Sequence, residues 1–391
     1  MRYKSLDGLR GISAVIVLIH HCLIINPFFL KVHFHDINQD NNTLILKVFH
    51  FFWAGHEAVL LFFILSGFVL YNVVENIKDY KGYFFNRFIR IYVPYIIIIL
   101  ISTTLYIAFY NADLISNENK FSEWFNSMWP IPIDYLSIFS AIFMIGYNTH
   151  SINTVTWSLV HEFRISLFIP IIVWWLMKNQ KKSDLFLIVL SLFIFNFLNV
   201  FVISLIFEGY FYAVMMNIND TIYYIIFFVI GIFLSIKKKE VIKKFRKINL
   251  KISYLLLISG IFFILSEWFL DGITKGKYST NIFVNKITTF SVDMSISFGI
   301  IIVFCLAISC KPIMNFLECK IFIFLGKISY SLYLIHPIVI LSLLHIFENK
   351  IDYVLLSTLS FFISIFSGIV FYLTVEKKSI LYIKNKSNNQ S

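Results

Sequence analysis

SLDGLRGISAVIVLIHH, residues 5–21, decides how the rest of the chain is read. Arg2, Lys4 and Arg10 lead into an apolar stretch, an arrangement shared with cleavable leader peptides. Here no small-residue cleavage site follows, and the stretch ends in His20 and His21. It therefore predicts an uncleaved first membrane helix. Runs of the same kind recur through all 391 residues, of which 59% are hydrophobic, 19% aromatic and only 14% charged. An ordinary soluble domain carries about 25% charged residues. With a mean hydropathy of +0.79, the chain reads as an all-α polytopic membrane protein.

Apolar runs give ten spans, at 8–26, 50–71, 89–110, 156–177, 184–206, 219–236, 250–270, 290–309, 326–347 and 353–375. An eleventh run, 135–147, is short for a crossing and suits a re-entrant or interfacial helix. Positive charge tests this choice, because one extra crossing would invert every later loop. With ten spans and both termini cytoplasmic, 25 of the 33 Lys and Arg residues fall inside. The net charge of +11 is thus a mark of topology, and no nucleic acid is implied. The eight basic residues between Lys237 and Lys251 read as an anionic-lipid and topology feature. Cys22, Cys305, Cys310 and Cys319 lack metal-ligand spacing, so neither a disulfide framework nor a zinc site is supported. The connections are too short for an attached soluble domain. Residues 1–376 read as one transmembrane domain and 377–391 as a polar cytoplasmic tail, disordered from Lys384. Nothing in the pattern fixes an oligomeric state.

Ionisable side chains inside a bilayer are costly, so each is a functional candidate. His21 lies roughly 8 Å below the outer end of the first helix, and Glu162 is expected at a similar depth on the fourth. His56 and Glu57 on the second helix, and Trp157, His161 and Arg164 on the fourth, fall in the same layer. Arg10 and His21 are eleven residues apart, which is three turns plus about 20°, so they share one face about 16 Å apart. His20 points about 80° from Arg10. One face therefore carries a cation near the cytoplasm and an imidazole further out, suiting a ligand with an anionic end inside and a reactive end outside.

Blander readings stand beside these. A single membrane histidine is as often interhelical glue, and Arg10 alone is more often a topology determinant. Glu162 and Arg164 point about 200° apart, so each needs its own partner. Glu267, Asp293 and the run Ser329, Tyr330, Ser331, Tyr333 read as helix contacts, and His336 before Pro337 as a kink.

Several stretches then carry a resemblance in order and spacing. Arg10, ten residues, then His21 resembles the first-helix hallmark of the acyltransferase 3 family, bacterial membrane O-acyltransferases that decorate surface glycans. GHEAVLLFFILSGFVLY (55–71) resembles its FFxLSGF motif, NRFIRIYVP (86–94) its Arg-rich start of the third helix, and VTWSLVHEF (155–163) its WSLxxE segment. GKISYSLYLIHP (326–337) and VEKK (375–378) complete the set. Two positions depart from the pattern: Leu60 stands where many members have Asp, and His161 precedes Glu162 where a second acidic residue is usual.

The resemblance implies transfer of an acyl group, usually acetyl, from cytoplasmic acyl-CoA to a hydroxyl of an outward-facing or lipid-linked glycan, in the bacterial cytoplasmic membrane. His21 is then the general base, with Glu162 orienting it or holding the acceptor. Arg10, Arg87 and Arg90 are expected to bind the CoA phosphates, and Ser66 and Gly67 to line the acyl tunnel. His20, the rival base, joins His56, Glu57, Trp157, His161 and Arg164 as expected acceptor contacts. Acyl-CoA is a donor substrate; no metal and no tightly bound cofactor are expected. A transporter or polysaccharide exporter, with alternating access and no need of acyl-CoA, and a structural subunit of an envelope-assembly complex are the competing readings.

Overall fold

The structure, a computed structural model, describes residues 3–33, 49–75, 77, 79–109, 122, 124, 127–129, 135–148, 151–179, 184–269, 279–347 and 350–388. The described residues are mostly helical, with no strand among them. The first five long helices are α1 (Lys4–Ile24), α2 (Gly55–Val74), α3 (Tyr80–Phe109), α4 (Thr156–Lys178) and α5 (Leu185–Ile206). They are followed by α6 (Gly209–Ile236), α7 (Leu250–Ile264), α8 (Ile282–Ser309), α9 (Lys320–Phe347) and α10 (Tyr353–Phe371). These match the ten apolar runs in order. Several begin earlier than the runs do, because hydropathy marks only the hydrocarbon crossing while the helix continues through the polar interface.

Nine of the ten are long and apolar enough to cross a membrane unaided, whereas α7, with 15 residues, is short. Its crossing follows from its neighbours. α1 and α9 run parallel: Gly8 lies against the Leu317 carbonyl, Gly11 against the Gly326 amide, and His21 against His336 further on. Two parallel helices enter from the same face, which requires an odd number of crossings between them. The six other helices between α1 and α9 supply an even number, so α7 must be the seventh. It packs antiparallel on α8, with Gly260 against Gly299, and the short helix Ser266–Phe269 then carries Trp268 to 3.9 Å from the ring of His50 at the far face. α10 returns antiparallel along α9, with Gly368 against Leu332, so both ends of the chain lie at one face. That face is the lysine-rich one, which the charge distribution assigns to the cytoplasm.

The α1–α9 pair is the most extensive interface. Without a hydrophobic difference between helix and lipid, close approach depends on small residues. A Cβ on Gly11 would run into the α9 backbone, one on Gly326 into the α1 backbone at Asp7, and one on Gly8 into the Leu317 carbonyl of the short helix Lys311–Leu317 that precedes α9. α2 and α6 use the same device, with Gly67 against the Phe228 carbonyl and Gly231 against that of Ile64.

Two stretches depart from regular helix, and both touch the site described below. A π-helical segment, Phe88–Tyr92, interrupts α3, and a second, Tyr372–Glu376, joins α10 to the helix Lys377–Asn388. The expected disorder from Lys384 is corrected as far as Asn388. That last helix is held to α3 by Lys386, whose ammonium sits 3.6 Å from the centre of the Phe85 ring, and by Tyr382 at 6.3 Å from the same ring. Run 135–147 forms an eight-residue helix, Tyr135–Ile142, about 12 Å long and so unable to cross. It enters beside α3, where Tyr95 and Tyr92 donate to the carbonyls of Ala141 and Ile142 at 2.7 and 2.9 Å. Nearby Trp129 donates to Ser102, about two turns further towards the far face, so the segment is re-entrant.

Candidate functional site

The site is a column of polar side chains between α1, α2, α3, α4 and α9. Its far end is a histidine pair. His21 Nδ1 lies 3.0 Å from the Val17 carbonyl one turn back and 2.9 Å from Nε2 of His336. His336 Nδ1 in turn lies 3.0 Å from the Leu332 carbonyl. His336 is fully buried while His21 is half-buried, with the Trp124 ring 5.0 Å away on the outer side.

From this pair α9 presents Tyr333 and Tyr330 at successive turns towards the basic face. Tyr333 shares a 2.7 Å hydrogen bond with Ser158 of α4. One turn along α4, Glu162 accepts from Ser66 of α2 at 3.0 Å. Tyr330 donates to the Ile91 carbonyl, inside the first π segment, at 2.9 Å. That segment aims Arg90 into a cluster where Arg10, Arg87, Glu162 and Glu376 all lie within electrostatic reach. Glu376 comes from the second π segment and accepts from Ser331 at 2.5 Å. A π turn inserts a residue into the helical register and so redirects a side chain that regular spacing would point elsewhere. Arg87 lies 5.6 Å over the Tyr83 ring, whose hydroxyl donates to the Ser166 carbonyl at 2.7 Å.

Three guanidinium groups against two carboxylates leave this end of the column cationic. Arg90 is exposed despite its many neighbours, and Arg10, Ser66, Arg87, Glu162, Tyr330 and His21 are all half-buried. These polar groups are surrounded by neighbours yet partly exposed.

Glu162 does not stand beside His21. It belongs to the arginine end of the column, with Ser66, Arg87 and Arg90, and the partner at His21 Nδ1 is His336. α4 begins only at Thr156, below the far face, so counting down from an assumed surface end put Glu162 too far out. Nor does Gly67 line the column: it packs against the α6 backbone, on the side of α2 away from Ser66.

The remaining expected residues lie in a second network on the other side of α1 and α2, closed in that its carboxylates are paired within it, although His56, Trp157 and Arg164 are half-buried like His21. His20 is buried, with Nδ1 2.9 Å from the Trp53 carbonyl and Gly55 pressed against its ring. Glu57 pairs with buried His50 at 3.4 Å. His56 donates to one oxygen of Asp293 and Tyr223 to the other, each at 2.7 Å. His161 lies 2.9 Å from the Thr221 hydroxyl of α6, and Trp157 packs among Phe63, Tyr224 and His161. Arg164 makes four hydrogen bonds from its two terminal nitrogens. It donates to Asn217 at 2.7 Å, Thr221 at 3.0 Å, Met144 at 2.9 Å and Ile145 at 2.5 Å. The last two are carbonyls just beyond the re-entrant helix, so Arg164 clamps that segment in place.

Sequence reasoning missed His336, Tyr330, Tyr333, Glu376 and Trp124 as members of the column. The signal for the α9 residues was present: 330, 333 and 336 fall on adjacent turns of one helix side, and the helix packs along the Arg10–His21 face. Glu376 carried no such signal, because its direction depends on a π turn.

A family model described as an acyltransferase domain matches residues 3–373, nearly the whole chain. No curated protein and no solved structure matches.

Proposed function

The chain belongs to the acyltransferase 3 family, and from that premise we propose that it transfers an acetyl group from acyl-CoA, bound at the basic cytoplasmic face, to a hydroxyl of a lipid-linked or surface glycan reaching the site from the other side. It is a multi-pass membrane enzyme; we place it in the bacterial cytoplasmic membrane. The observation that carries this reading is the column itself: a cationic cluster at one end, an imidazole pair at the other, and hydroxyls between.

Moving the CoA nucleotide through hydrocarbon would be prohibitive, but the flexible pantetheine arm can thread where polar groups line the way. Arg10, Arg87 and Arg90 offer planar forks to the phosphates. Along α1 the distance from Arg10 to His21 is about 16 Å. Glu162 and Glu376 hold the guanidinium groups apart from one another and in position, which is the role we now give Glu162. His21 accepts the acceptor's hydroxyl proton as the oxygen attacks the thioester carbonyl. The carbon–sulfur bond then breaks, and the imidazolium returns the proton to the departing thiolate, leaving free CoA, an acetyl ester and neutral His21. Trp124 beside His21 offers a flat apolar surface on the acceptor's side.

Purified protein should bind acetyl-CoA, and addition of acceptor glycan should release free CoA in step with ester formation read by mass spectrometry. Absence of acetyl-CoA binding would sink the reading.

A further inference from the structure

Two histidines in contact leave their protons to be assigned, and two backbone carbonyls assign them. A carbonyl oxygen only accepts, so a ring nitrogen held against one must carry its hydrogen there. His336 Nδ1 lies 3.0 Å from the Leu332 carbonyl, and the Tyr333 carbonyl is close by. Tyr333's carbonyl has no helical donor, because the residue four further on is Pro337, which lacks an N–H. Pro337 thus leaves a second acceptor near the neighbouring ring, while the Leu332 carbonyl keeps the ring's hydrogen on Nδ1. Neutral His336 then has a lone pair on Nε2, which faces His21 Nδ1 at 2.9 Å. His21 Nδ1 must donate, and it does so to His336 and to the Val17 carbonyl 3.0 Å away. The opposite assignment would set lone pair against lone pair at both carbonyls.

We propose that His336 is a positioning residue that, together with the Val17 carbonyl, holds His21 in the Nδ1–H tautomer and fixes its ring orientation, so that Nε2 of His21 is the nitrogen that takes the acceptor's proton. The same bond steadies the ring's orientation and persists when His21 becomes imidazolium, since its Nδ1–H goes on donating to neutral His336. His336 is fully buried and acts only through His21. This inference rests on the acyltransferase reading for its consequence, but the tautomer itself does not.

The test uses the full chain in lipid nanodiscs with nitrogen-15 histidine. Long-range proton–nitrogen correlations should show the His21 hydrogen on Nδ1 in the wild type and a partial redistribution towards Nε2 in His336→Leu, which fills the space without an acceptor and leaves only the Val17 carbonyl to hold the hydrogen. In acceptor-dependent CoA release, His336→Leu should lose about 10²- to 10⁴-fold in kcat while KM for acetyl-CoA stays within about twofold. His336→Gln, whose amide oxygen can stand near the place of Nε2, should recover at least about tenfold of that loss. A merely structural role would lower His336→Leu and His336→Gln alike and leave the tautomer unmoved; that result, or a wild-type hydrogen on Nε2, overturns the proposal. Should the wild type bind no acetyl-CoA while the tautomer responds as stated, the acyltransferase reading fails and the positioning holds.

Discussion

His20 and His21 are neighbours in the chain and sit in opposite kinds of surroundings. His21 faces the column, half-buried, in contact with a second imidazole and at the end of a row of partly exposed polar groups. His20 faces the closed network, where Glu57 meets His50, Asp293 meets His56 and Tyr223, and Lys286 meets Asp220 at 2.6 Å. Burying charges costs several kcal/mol per ion unless partners compensate. The closed network answers that cost locally, carboxylate by carboxylate, and is thereby suited to hold helices together. The column keeps a surplus of partly exposed cations, which suits a visiting anion. One layer of ionisable residues is thus divided between structure and function by which side of α1 and α2 each residue faces.

Substitutions on the two sides should separate accordingly. His21→Ala should reduce acceptor-dependent CoA release by about 10²- to 10⁴-fold or more, with normal membrane insertion and a normal thermal-unfolding profile. Next is the helix crossing that brings His21 to His336. Gly11→Leu would thrust a side chain into the α9 backbone at 325–326 and should lower stability by about 1–3 kcal/mol while cutting kcat about tenfold or more. Arg90→Ala removes one charged fork and should raise the acetyl-CoA dissociation constant by about 10- to 100-fold, measured by calorimetry, with a smaller change in kcat. On the closed side, Asp293→Asn leaves two donors competing for one acceptor. It should cost about 1–3 kcal/mol in thermal unfolding and leave kcat within about threefold. The smallest effect is expected for His20→Asn, whose amide nitrogen can replace Nδ1 at the Trp53 carbonyl; activity should stay within about threefold. Equal losses for His20→Asn and His21→Ala would erase the distinction between the two sides.

The sequence made the architecture legible because hydrocarbon imposes it: a crossing must be an apolar helix, and lysines mark one face. Even α7, too short by itself, was readable as a crossing from charge and is required by the parallel packing of α1 and α9. The Arg10–His21 face was legible because helical rotation is periodic. Glu162 was placed too near His21 because α4, though it starts at Thr156 as the apolar run does, starts below the surface. Arg164, read as an acceptor contact, is spent on Met144 and Ile145, partners in a segment whose path no local pattern announces. Arg90 and Glu376 meet through two π turns, and no periodic rule foresees where a register slips.

The central claim is that residue 21 can be reached from both faces, by a thioester from one and an alcohol from the other. His21→Cys, in a chain with Cys22, Cys305, Cys310 and Cys319 replaced, can be challenged in sealed vesicles with a small charged thiosulfonate added to either side. The account predicts labelling from both sides, with acetyl-CoA on the basic side protecting against the reagent added there. A thiol at 21 that reacts from neither side would contradict it.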